Sequence, residues 1–163
     1  MGKESEGRVV VLGVGNELLK DEGVGVHVAR ALSREPSASL VEIIEGGTAL
    51  DALPGGRPIK KLVVVDAVCG GGEPGSIYRF TPDEVELEAG QVTSLHELGL
   101  LDGLRMSEVA GIKPEETVII GVEPKDVGWG MGLSAELEGR LPEVVRIVLE
   151  EVGKTAEKRS FSA

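Results

Sequence analysis

A chain of 163 residues, 41% of them hydrophobic, carries enough apolar mass for one substantial core and is read as a single domain, 1–163, with polar tails at 1–7 and 154–163. A net charge of −11 without any cluster of Lys and Arg excludes nucleic acid and anionic membrane surfaces as expected partners. No apolar run approaches the roughly 20 residues that span a bilayer, and Met1 to Gly7 is too polar for a secretory signal, so membrane insertion is excluded and a cytoplasmic location is expected.

Arg8 to Gly13 (RVVVLG) is a β-branched run ending at glycine, the pattern of a strand. Val24, Val28 and Leu32 then recur at helical spacing. Leu40 to Glu45 (LVEIIE) predicts a second strand, ending at Gly46-Gly47-Thr48, and Lys61 to Asp66 (KLVVVD) a third, apolar enough to lie mid-sheet. Gly75 to Phe80 (GSIYRF) predicts a fourth, introduced by the Pro74-Gly75 turn. Ser94-x-x-Glu97 forms a capping box ahead of Leu98, Leu101 and Leu104, so a helix is expected from near Ser94 to near Gly111. Thr117 to Val122 (TVIIGV) predicts a fifth strand, and Ser134 to Val152 an amphipathic helix in which Pro142 marks a kink or a restart. The alternation implies an α/β fold, a three-layer α/β/α arrangement around a mostly parallel sheet of about five strands. Such sheets bind ligands beyond the carboxyl ends of their strands. Glu22, Glu45, Asp66 and His96 each follow a strand end or open a helix in this reading.

The loop after the first strand begins like a phosphate cradle. Gly13-Val14-Gly15 matches the first two glycines of G-x-G-x-x-G, but Leu18 holds the third position and no Gly-Lys-Ser/Thr follows. Asp21 and Glu22 would repel a pyrophosphate at the helix start, so the loop suits a cation. A dinucleotide-binding module with Glu45 as the ribose-binding acid stays as an alternative. Asp21 is expected to be the helix N-cap. Glu22 is expected one residue inside the helix, and Gly23 and Gly25 after it leave room for another backbone or a ligand. Asn16 is the only asparagine in the chain, which points to loop-specific hydrogen bonding or a left-handed backbone.

Asp66 ends an apolar run, where an aspartate serves either a strand-end turn or a site. His96, in the first turn of a capped helix, is favoured as neutral imidazole with a lone pair to donate, or is simply hydrogen-bonded there. Two carboxylates and an imidazole at one sheet edge make an oxygen and nitrogen site for a borderline divalent ion, with positions open for water or substrate. His27 lies about 140° round an α-helix from Glu22 and is expected on the helix surface. Cys69 could be a thiol nucleophile paired with His96 or a soft ligand. As the sole cysteine it permits no internal disulfide, which fits a reducing compartment. No Gly-x-Ser-x-Gly elbow and no His-Glu-x-x-His pair occurs, so serine-hydrolase and thermolysin-like mechanisms lack support. One Asn and one Gln among many Glu and Lys suggest a thermophilic source.

Over most of its length the chain resembles the nickel-iron hydrogenase maturation proteases. The likeness runs through Gly13-Val14-Gly15-Asn16, Leu19, Asp21-Glu22-Gly23-Val24-Gly25, Gly46-Gly47-Thr48 and Asp66-Ala67. It continues through Gly72-Glu73-Pro74-Gly75, Ser94-Leu95-His96-Glu97-Leu98-Gly99 and Gly121-Val122-Glu123-Pro124. The resemblance implies an endopeptidase, working with carboxylates, that trims a C-terminal extension from the hydrogenase large-subunit precursor after nickel insertion. It implies that Glu22, Asp66 and His96 are the catalytic and metal-binding trio, that the nickel is supplied by the precursor, and that no organic cofactor is needed. Asn16 and Gly46, Gly47 and Thr48 are the expected substrate loop. Glu45 stands where the family often has Asp, and Cys69 lies outside its pattern. A non-catalytic nickel-binding escort of the large subunit would share the same trio.

Overall fold

The computed structural model describes residues 7–47, 58–87, 93–94 and 113–160. In chain order these form β1 (Arg8–Val14), α1 (Val24–Ser33), β2 (Glu42–Gly47), β3 (Ile59–Cys69) and β4 (Ile77–Phe80). Then come α2 (Pro82–Leu87), β5 (Thr93–Ser94), β6 (Glu116–Val122) and α3 (Ala135–Ser160). The strands hydrogen-bond in the order β2-β1-β3-β6-β4. The β1–β2, β1–β3 and β3–β6 pairs are parallel, whereas β4 runs antiparallel to β6 and β5 antiparallel to the end of β3. This is the α/β fold with a mostly parallel sheet that the sequence implies. The chain leaves β1 for β2 on one side and returns to β3 on the other, so the strand order reverses at β1. The crevice between β1 and β3 is therefore a topological switch point.

β3 lies mid-sheet because its run from Leu62 to Val68 is apolar apart from Asp66, and the strand is buried on both faces. On one face, Val11, Val63, Val65, Val118 and Ile120 pack against Val24, Val28 and Leu32 of α1. Leu137, Val144, Val145 and Val148 of α3 join the same cluster. Val10, Leu12, Leu62, Val64 and Ile119 bury the opposite face as completely. Each such side chain withdrawn from water contributes roughly 1.5–3 kcal/mol before chain entropy is counted.

Several boundaries differ from the expectation. β2 begins at Glu42, because the Val41 N–H is held by the Ala38 carbonyl in a preceding turn, and Leu40 is left exposed. At its other end β2 takes in Gly46 and Gly47: the register skips Gly46 as a bulge and Gly47 pairs with Val14 of β1. β3 continues past Asp66 to Cys69: β6 pairs with it as far as Ala67, and β5 then pairs with Val68 and Cys69. β4 starts at Ile77, since Glu73 to Ser76 close a turn in which Gly75 has φ +89°. α2 is an element beyond those expected; Thr81-x-x-Glu84 is its capping box, and Glu84 Oε2 accepts the Thr81 N–H at 3.2 Å. Ser94, expected at a helix start, is the last residue of β5, and the helix expected after it lies outside the described residues. α3 starts as expected, the Leu137 N–H reaching Ser134 Oγ at 3.4 Å. It runs unbroken through Pro142 to Ser160, well past Val152 and into the segment read as a tail. Pro142 is exposed, so water can satisfy the carbonyl that its missing N–H leaves free.

Candidate active site at the carboxyl edge of the sheet

The glycines after β1 are explained by backbone packing. A Cβ on Gly13 would lie 2.1 Å from the Gly25 carbonyl oxygen, and one on Gly25 would lie 2.2 Å from that of Val65 and 2.3 Å from that of Val14. Gly15, at φ +152°, would strike the Glu22 carbonyl oxygen at 2.1 Å. The first turn of α1 thus lies directly on β1 and β3, and the room left by the missing side chains is filled by protein. No phosphate cradle remains, and the dinucleotide alternative loses its loop.

This packing positions two of the sequence-derived site residues. Glu22 does not lie inside α1, which begins at Val24; it sits half-buried in the 3-10 turn Lys20–Gly23, its N–H on the Leu19 carbonyl at 3.1 Å. Gly25, three residues further on, touches Val65, and the next residue of β3 is Asp66, fully buried, with Oδ1 accepting the Ala67 N–H at 2.8 Å. Glu22 and Asp66 therefore flank the switch point. The third member, His96, lies outside the described residues; Ser94, two residues before it in sequence, pairs with Val68 just beyond Asp66. Among the described residues no group of three or more His, Cys, Asp or Glu could hold a metal ion.

Asp21 is not an N-cap. Its carboxylate is wholly buried and makes no side-chain cap to its own helix. Oδ2 instead accepts the N–H groups of Lys125 (2.9 Å) and Asp126 (3.0 Å), and Oδ1 that of Ser134 (2.7 Å). One carboxylate thus fixes the loop after β6 and the entrance of α3. These partners lie 104 to 113 positions later, beyond the reach of local sequence patterns.

Glu123, just after β6, plays a similar part. Its Oε2 accepts the Gly70 N–H at 2.6 Å and the Tyr78 hydroxyl at 2.9 Å, and the Tyr78 oxygen accepts the Gly72 N–H at 3.0 Å. The turn between β3 and β4 is thereby closed onto β6. Burial, then the Glu123 carboxylate, pushes the Tyr78 hydroxyl above its ordinary range. The same two causes push the Cys69 thiol up, which opposes the thiolate form that a nucleophile needs.

The remaining candidates sit nearby. Asn16 makes a side-chain turn, its Oδ1 accepting the Leu18 N–H at 3.0 Å, and it is not in the left-handed region, which Lys20 (φ 47°) occupies instead. Gly46 packs on Leu12 and Gly47 ends β2 opposite Val14; Thr48 lies outside the described residues. Glu45 is exposed and accepts from Arg30 Nε at 2.8 Å, while Arg30 also grips Glu17 with both terminal nitrogens. These bonds hold the Arg30 guanidinium above, and the Glu17 carboxyl below, their ordinary ranges. His27 is a partly exposed helix residue.

The model of the hydrogenase maturation protease family matches residues 26–151. The chain belongs to the hydrogenase maturation protease family. Among its relatives, the hydrogenase 2 maturation protease of Escherichia coli (strain K12) is 34% identical, covering 87% of this chain and 88% of the relative. The hydrogenase expression/formation protein HupD of Thiocapsa roseopersicina is 33% identical over 97% of this chain and 75% of its own. Of solved structures, the hydrogenase maturating endopeptidase HybD from E. coli superposes with a TM-score of 0.76 at 31% identity, covering 91% of this chain and 93% of that one. The [NiFe] hydrogenase maturation protease HybD from Thermococcus kodakarensis gives 0.75 at 29% identity, covering 88% and 97%. This hydrogenase maturation protease is thus a peptidase on a single-domain α/β fold. No described helix is long and apolar enough to cross a membrane.

Proposed function

We propose that this maturation protease is the cytoplasmic endopeptidase that removes the C-terminal extension of a nickel-iron hydrogenase large-subunit precursor once nickel has been inserted. One observation carries the reading: Gly25 seated on Val65 brings the turn bearing Glu22 against β3 beside Asp66, at the switch point where open α/β sheets bind ligands.

Amide hydrolysis needs an activated water, a stabilised oxyanion and a proton for the leaving amine. Nickel arrives as part of the substrate, and when bound it supplies Lewis-acid polarisation. Glu22 and Asp66 offer carboxylate oxygens and His96 a nitrogen, a donor set suited to a borderline ion. Asp66, buried and oriented by the Ala67 N–H, is the fixed member. Glu22, partly open to solvent, takes and returns the proton. Asn16 and the backbone of Gly46 to Thr48 help place the chain to be cut.

The test is incubation with nickel-loaded and nickel-free precursor, read as a shortened large subunit. Shortening is expected only with nickel loaded. Equal cleavage of both forms would remove nickel from recognition, and tight binding without shortening would make the protein an escort.

A further inference from the structure

Among the described residues five large hydrophobic side chains stand exposed: Leu18, Leu40, Val127, Trp129 and Met131. Four of the five lie on two facing loops. Trp129, the only tryptophan of the chain, is 80% exposed, Met131 69% and Leu18 55%. Tryptophan is ordinarily among the well-buried residues, and apolar side chains gathered in water mark an interaction surface.

These side chains do not sit on a loose tip. The Gly130 N–H donates to the Leu18 carbonyl at 2.9 Å, and the Lys20 N–H returns the bond to the Gly130 carbonyl at 3.0 Å. The Asp21 N–H donates to the Asp126 carbonyl at 2.9 Å, and the buried Asp21 carboxylate takes the three N–H groups described above. Lys20 Nζ meets Asp126 Oδ2 at 2.8 Å. The rim is thus braced by the residue adjoining Glu22, and a braced surface loses little order when a partner covers it.

Its charge setting narrows the partner. Leu18 and Met131 border a groove of about 430 Å³ that Glu17, Arg30 and Glu45 also line, and with Arg30 bridging both carboxylates the trio keeps one negative charge in excess. The nearby cations are engaged, Lys20 by Asp126 and Lys125 by Glu136. A complementary surface is therefore apolar with a cationic neighbour.

We propose that the rim of Leu18, Trp129 and Met131 is the docking surface for the hydrogenase large-subunit precursor, and that it receives an apolar segment flanked by Lys or Arg. The proposal rests on the precursor being the substrate. Trp129 is the anchor, since tryptophan is enriched among the residues that carry most of the binding energy at interfaces. Glu17 and Glu45 receive the cationic flank.

Because Trp129 is unique, protein grown with 5-fluorotryptophan carries one fluorine reporter, at the rim. Adding one equivalent of nickel-loaded large-subunit precursor should shift and broaden that signal. Trp129→Glu should raise the KM for processing about tenfold with kcat within about twofold, and Trp129→Phe should restore most of the loss. An unmoved signal or an unchanged KM while cleavage proceeds would overturn the docking surface and leave the protease reading intact. A shifted signal without cleavage would uphold docking and sink the protease reading. Neither shift nor cleavage would overturn both.

Discussion

The two ends of the sheet bury acidic groups in different ways. At the amino end, Glu151 of α3 is enclosed with Lys61 of β3, Oε1 to Nζ at 3.1 Å, and Arg79 of β4 grips both its oxygens at 2.7 and 2.9 Å. Lys61 Nζ also donates to the Glu151 carbonyl at 2.9 Å and lies 3.5 Å from Glu116. At the carboxyl end, Asp21 is satisfied by three backbone N–H groups, and Glu123 by one N–H and a phenol. Acid paired with base closes a surface. Acid paired with backbone builds loops, and here it shapes the edge that carries Glu22 and Asp66. α3 joins the two ends, entering beside Asp21 and reaching Lys61 with Glu151.

Breaking the amino end should therefore damage stability and spare chemistry. Glu151→Ala strips Lys61 of its buried partner, leaving only the more exposed Glu116 at 3.5 Å, and should cost about 3–5 kcal/mol in chemical denaturation, while cleavage per folded molecule is unchanged. A loss under 1 kcal/mol, or a cleavage defect in folded protein, would erase the distinction between the ends.

Acid sharpens the same contrast with a slightly smaller effect. Hydrogen bonds from Arg79, against the opposing effect of burial and with help from Lys61 and Lys154, hold the Glu151 carboxyl at about 2 instead of 4.5. A depressed folded-state pKa contributes stability that is complete above the unfolded value and lost as the group protonates. Stability should thus fall between pH 4.5 and 2 by about 3 kcal/mol on this account. Glu17, Asp126 and Glu136, each also held low by a hydrogen-bonded cation, add smaller, solvent-screened losses on the acid side. In Glu151→Ala most of the acid-linked loss should vanish, and an unchanged acid slope in that variant would assign it elsewhere.

What could be read from the sequence follows from where each residue's partners lie. β1, β3 and β6 are β-branched runs, and α1 shows itself through Val24, Val28 and Leu32, so local pattern and final burial agree. Asp66 reads as a strand end because its polarity interrupts the run, but pairing with β6 and β5, far along the chain, carries β3 onward. The Thr81-x-x-Glu84 capping box is a local signal, and it opens α2 as its pattern dictates. For the candidate site, strand and helix alternation sufficed to put Glu22 and Asp66 at one edge. The roles of Asp21 and Glu123 were hidden, since their acceptor oxygens face backbone groups that tertiary structure alone brings near.

The most direct test of the carboxyl edge as the chemical end is cleavage of nickel-loaded large-subunit precursor by Glu22→Gln, with thermal unfolding measured on the same protein. Processing should fall at least about a thousandfold, some 4 kcal/mol of transition-state stabilisation, while the melting temperature moves by no more than a few degrees. A folded Glu22→Gln protein that trims the precursor at the wild-type rate would contradict it.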